Sequence, residues 1–116
     1  MIGRSGEYRT EQREKMFAGD GTVKVEHFWE AKSQMRSSIR MCAKLTIPPG
    51  GSIGLHRHDQ EEEIMVVISG LAEVNDNGKL QELKVGDTLL TGNGASHEVR
   101  CKGNEPLVLV AVIATY

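Results

Sequence analysis

Apolar and polar residues alternate over Ile39–Ile47: Ile39, Met41, Ala43, Leu45 and Ile47 take the odd positions, with Arg40, Cys42, Lys44 and Thr46 between them. Successive side chains of a β-strand point to opposite faces, so this period of two predicts a half-buried strand. Pro48-Pro49-Gly50-Gly51 ends it, because proline lacks an N–H and glycine accepts turn geometry. Residues 63–68, nearly all apolar, predict a strand buried on both faces and closed by Ser69-Gly70. Residues 71–74 and 80–83 flank Asn75-Asp76-Asn77-Gly78, and an Asn-Gly pair, tolerant of positive φ, predicts a hairpin. Gly86-Asp87 precedes a short strand at 88–91; Gly92-Asn93-Gly94 turns the chain into 97–101; residues 102–106 lead to a last strand at 107–114. Short strands at this spacing predict an all-β sandwich or barrel. Earlier in the chain, residues 10–18 predict one or two helical turns, Gly19-Asp20-Gly21 breaks them, and residues 22–29 predict a strand.

A length of 116 residues fits one domain with one core, with residues 1–21 as an N-terminal arm and 22–116 as the β-barrel. Arms of this kind cover a sheet edge or reach a second subunit, so a homodimer is expected. Fourteen Lys and Arg against 16 Asp and Glu leave no basic surplus of the kind nucleic-acid binders carry. The longest apolar run, 107–114, falls far short of the roughly 20 residues of a membrane span. The first seven residues contain charges and no apolar stretch like a signal peptide, so a cytoplasmic location is expected. Cys42 and Cys101 stand far apart and read as free thiols.

The histidines carry the chemistry. His56 and His58 are two apart, so on a strand both imidazoles share a face while Arg57 points away. Glu63 follows with the parity of Met65 and Val67, and His97 comes later on a strand whose same face carries Val99 and Cys101. Three imidazoles and a carboxylate from neighbouring strands make a metal cage. Neutral imidazoles suit Fe, Mn, Ni, Co, Cu or Zn rather than Mg or Ca, which prefer oxygen shells. Glu62 competes with Glu63 for the ligand position, and parity alone leaves both open. Met41, Ala43, Leu45, Met65, Val67 and Val99 share the inward parity, as core or as pocket lining. Cys101 reads as a small core filler or as a thiol near the metal. His27 has no identifiable partner and stays outside the site. Arg57, Arg100 and Arg40 have outward parity, so no anion clamp is evident. The Gly92-Asn93-Gly94 turn has no helix after it to present phosphate-binding N–H groups.

These residues resemble the cupin family. Gly50-x5-His56-x-His58-x4-Glu63-x6-Gly70 matches the first cupin motif at every fixed position. The second motif, 86–101, is matched in part: Gly86, Gly94 and His97 fall in place, while Gly92 stands where the family usually has Pro and Cys101 where it usually has Asn. The short gap between motifs is that of compact bacterial single-domain cupins of the RmlC-like type. The resemblance implies a double-stranded β-helix, or jelly-roll, barrel holding one divalent transition metal through His56, His58, Glu63 and His97. Substrates able to chelate, such as hydroxy acids, keto acids, enediols or dicarboxylates, are the expected partners. Three functions stay open at this level: an oxidation, lyase, decarboxylase or isomerase step on a carboxylate or sugar-derived metabolite; non-enzymatic capture of such a ligand; or a metal-free structural barrel.

Overall fold

Ten antiparallel strands emerge from these periodicities in a computed structural model that covers residues 1–116. In chain order they are β1 (Arg9–Glu14), β2 (Thr22–His27), β3 (Ile39–Ile47), β4 (Ser52–Arg57), β5 (Glu61–Ser69), β6 (Ala72–Asp76), β7 (Lys79–Leu83), β8 (Thr88–Gly92), β9 (Ser96–Cys101) and β10 (Leu107–Thr115). They form a six-stranded sheet, β1-β2-β3-β10-β5-β8, and a four-stranded sheet, β4-β9-β6-β7. The architecture is an all-β jelly roll. The inward parity of β3, β5, β9 and β10 supplies most of an 18-residue core, in which Ala43, Leu45, Met65, Val67 and Val99 are each at most 2% exposed. Between β6 and β7, Asn77 and Gly78 both adopt positive φ, 50° and 97°, as a two-residue hairpin turn requires.

Two local expectations are overturned. Residues 10–18 do not form helical turns: β1 pairs with β2 from Arg9↔His27 to Glu14↔Thr22, and only Met16–Ala18 makes a single 3-10 turn. Backbone hydrogen bonding to β2 outweighs a weak local helical preference. Strand β5 is not buried on both faces either. Ile64 and Ile68 remain 45% and 44% exposed, because the outer side of the six-stranded sheet faces solvent in the single chain.

Candidate metal centre

His56, near the end of β4, lies directly across from His97 on β9. The β4–β9 register shifts between Ile53 and His56, a bulge that re-aims the imidazole. His58 lies just past β4 and is held by backbone bonds to the next turn, its N–H donating to Ala95 O at 3.0 Å while Gly94 N–H donates to His58 O at 2.9 Å. Glu63 comes from β5 on the opposite sheet, between Thr91 of β8 and Ile113 of β10. The structure thus brings all four residues to one point, with His58, Glu63 and His97 buried and His56 half-buried. Glu62, the competitor for the carboxylate position, is exposed on the outer face.

The donor atoms face one another. The three Nε2 atoms are 3.0 Å (His56–His58), 3.1 Å (His56–His97) and 3.2 Å (His58–His97) apart. Glu63 Oε1 lies 3.0 Å from His58 Nε2 and 3.1 Å from His97 Nε2. The remaining pair, His56 with Glu63, is wider than 4.0 Å but within 4.8 Å. Four tetrahedral donors would have six equal separations. Five short edges and one long diagonal belong instead to an octahedron lacking two adjacent corners. Edges near 3.1 Å place a common centre about 2.2 Å from each donor, close to the roughly 2.0–2.1 Å of metal–imidazole bonds.

Protonation fits the same reading. His56 Nδ1 donates to Gly54 O at 2.7 Å and His58 Nδ1 to the Glu61 carboxylate at 2.5 Å. These acceptors fix the ring proton on Nδ1 and leave Nε2 as a bare lone pair. His97 Nδ1 is 2.8 Å from Thr91 Oγ, which likewise leaves its Nε2 free to face the centre. Glu63 Oε1 is buried and accepts no hydrogen bond. Three converging lone pairs and an orphaned anionic oxygen repel one another unless a cation or protons sit between them, so the residues fit a divalent metal. Electrostatics describes the competing proton. Glu63 raises the His58 pKa, whereas burial lowers that of His56. Burial alone would raise the Glu63 pKa, but the His58 and His97 contacts outweigh it and hold the carboxyl at about 2.

Sequence reasoning missed the supports. Arg40 grips Glu61 through two bonds of 2.7 and 2.8 Å, so that Arg40, Glu61 and His58 form a chain. The β3–β10 register shifts here, Ile113 facing Met41 and Ala114 facing Ile39, so Arg40 is the bulged residue at which the simple alternation breaks. With Arg13 it lines a cavity of about 50 Å³ beside His56, His58 and Glu63. Arg40, set aside on parity, therefore borders the cavity, as does Arg13, on which the sequence reading is silent. Met16 and Phe17 supply another wall. The Phe17 ring stacks on His56 with centroids 4.0 Å apart and planes within 7°. Lys15, Phe17 and Ala18 all have positive φ, between 47° and 62°, which costs non-glycine residues about 1–3 kcal/mol each. Cys101 is a buried core residue whose thiol donates to Glu105 O at 3.1 Å, outside the four-residue cluster. His27 pairs with Glu11 and is likewise outside it. Gly92, in the position the family usually gives to Pro, lies so close to Glu62 that an added Cβ would come within 2.7 Å of it.

Comparison with known proteins agrees with this architecture. Residues 43–113 match the family model described as the cupin domain. An oxalate-binding protein of Thermotoga maritima is 38% identical over 113 residues, covering 97% of this chain and 93% of that one. The crystal structure of a predicted oxalate decarboxylase from Thermotoga maritima superposes with a TM-score of 0.95 at 36% identity, covering 100% of both chains. An RmlC-like cupin from Shewanella frigidimarina shares the fold at 18% identity, with a TM-score of 0.73 over 100% of this chain and 92% of that one. The motif residues, the jelly roll, the match over most of the chain and the full-length relative converge on one assignment: the chain belongs to the cupin family.

Proposed function

We propose that this protein binds one divalent transition metal through His56, His58, Glu63 and His97 and uses it to capture a small dicarboxylate of the oxalate class. The observation that carries the reading is the convergence of three Nε2 lone pairs on the orphaned Glu63 oxygen. A metal held by His56, His58, Glu63 and His97 would supply Lewis acidity toward a chelating pair of ligand oxygens. The residues around it do the rest. Arg13 and Arg40 border the mouth, each paired with a carboxylate, Glu11 and Glu61, and their remaining N–H donors are what they offer to an entering anion. The cavity, about 50 Å³, holds roughly three or four water molecules, which suits a ligand of very few atoms. The 38% identical oxalate-binding relative supports the same ligand class.

Capture without turnover is the primary reading. The titratable groups lining the cavity are the donors themselves and two guanidinium groups, which hold an anion but release no proton near neutral pH. Turnover is the second reading, favoured by the structural relative described as a predicted oxalate decarboxylase. The test is elemental analysis of untagged protein, then calorimetric titration with oxalate and an assay for carbon dioxide release. Stoichiometric metal lost in His56→Ala and in His97→Ala, with oxalate bound and unchanged, supports capture. Carbon dioxide release selects the enzyme, and full metal occupancy in both variants overturns the ligand set. A homodimer is proposed as well, supported by the apolar outer face of the six-stranded sheet, where Ile64 pairs with Leu90 and both are exposed beside Val110 and Val112.

A further inference from the structure

We infer that Phe17 is the residue that limits ligand size, forming the outer wall of a slot that admits two-carbon dicarboxylates and excludes longer ones. The inference rests on the proposed metal and dicarboxylate reading and concerns the segment between β1 and β2. Phe17 is 55% exposed, so burial in the core does not account for its placement. Its ring instead lies flat on the His56 imidazole, one of the four donors, and borders the small cavity with Arg13 and Met16. A bulky residue at φ 51° is sterically unusual, so the conformation must be held by its surroundings.

Backbone contacts hold this segment in place. Lys15 N–H donates to Gly21 O at 2.9 Å, Gly19 N–H to Met16 O at 3.0 Å, and Asp20 N–H to Ser52 Oγ at 2.9 Å, while Ser52 N–H returns a bond to Asp20 O at 2.8 Å. Gly54 and Gly19 pack backbone against backbone: a Cβ on Gly54 would overlap Phe17 O and lie 2.8 Å from Gly19 N. The ring is therefore fixed over His56 from both sides of the chain. Arg13, on the same segment, is tied to Glu11 at 3.1 Å and adds charge selection to size selection. On this held backbone the ring narrows the space beside His56, and the inferred slot selects against the added methylenes of malonate or succinate.

The test is calorimetric binding of oxalate, malonate and succinate to metal-loaded wild type, Phe17→Ala and Phe17→Tyr, with metal content measured on each sample. Wild type is expected to prefer oxalate over succinate by at least about tenfold, in the range that pocket shape gives per methylene. Phe17→Ala is expected to collapse that preference to within about threefold with metal content retained, and Phe17→Tyr, which keeps the ring, to restore it. An unchanged preference in metal-replete Phe17→Ala overturns the inference alone. Wild-type protein that holds no metal overturns the underlying site assignment and this inference with it.

Discussion

Metal-linked stability should fall steeply on mild acidification, and the structure sets the direction. Metal present at about 100 times its dissociation constant adds about 2.7 kcal/mol to the folded state. In a domain of 116 residues this is roughly 11 °C of Tm at about 4 °C per kcal/mol. Protons compete for the same Nε2 lone pairs. His58 protonates before His56, because Glu63 raises the pKa of the one and burial lowers that of the other. The dissociation constant therefore rises by about one power of ten per pH unit for the first proton and more steeply thereafter. Between about pH 7.5 and pH 5 it rises at least roughly 30-fold, leaving at most about 0.9 kcal/mol of metal stabilisation, or about 3–4 °C. The metal-free chain has an opposite trend of its own. A raised His58 pKa stabilises it fully below the unfolded value, and this contribution fades as pH rises through the folded pKa. The quantity to measure is thus the Tm with Co²⁺ minus the Tm with chelator, by scanning calorimetry at both pH values. A difference as large at pH 5 as at pH 7.5 would refute imidazole ligation.

Other perturbations probe the supports. Glu61→Gln removes the carboxylate that orients His58 and should weaken metal binding about 10–100-fold; unchanged affinity by titration calorimetry would remove Glu61 from the site. Arg40, first, and His58 hold the Glu61 carboxyl at about 2, so its stabilisation is present above about 4.5 and is lost as pH falls toward 2. Arg40 is half-exposed, so Arg40→Ala should cost about 1 kcal/mol or less near neutral pH and less at pH 3; a urea-melt difference that grows with acid contradicts this. Gly54→Ala drives a Cβ into Phe17 O and should cost about 1–3 kcal/mol, or roughly 4–12 °C of Tm, and an unshifted Tm would show that the segment yields freely. If the outer sheet face joins two copies, Ile64→Lys with Leu90→Lys should yield a monomer by light scattering, and a wild type that is already monomeric would dispose of the dimer.

The barrel was legible because its signals are local. The alternation over Ile39–Ile47, the Asn77-Gly78 turn and the motif histidines each carry their meaning within a few residues. The supports of the site were not legible, because they depend on side-chain length and on pairing between distant segments. Arg40 has outward parity by counting alone, but it falls at the β3–β10 register shift and borders the cavity while bonded to Glu61, 21 positions away. Thr91 looks like any inward strand residue until β8 is placed beside β5, which sets it across from Glu63 and against His97. Residues 10–18 lack strong periodicity in either sense, so the pairing partner β2 decides their conformation, and that decision brings Arg13 and Phe17 to the site.

The same strands that build the polar centre show that it is not imposed by the fold. On β9, His97 alternates with Val99 and Cys101; on β5, Glu63 alternates with Met65 and Val67; on β4, His56 follows Ile53, which is buried in the core. Two positions along β5 and β9, and three along β4, the inward side chains make dry apolar contacts. The barrel could close that end with valine and isoleucine as it does elsewhere, avoiding the cost of a buried carboxylate whose Oε1 accepts no hydrogen bond. A cluster that opposes folding unless something positive joins it is explained by the cation that joins it. A variant with all four donors replaced by apolar residues should therefore melt no lower than the metal-free wild type, while losing every metal-dependent property. If that variant instead unfolds, the four side chains serve the barrel's packing, and their role as a binding centre loses its physical basis.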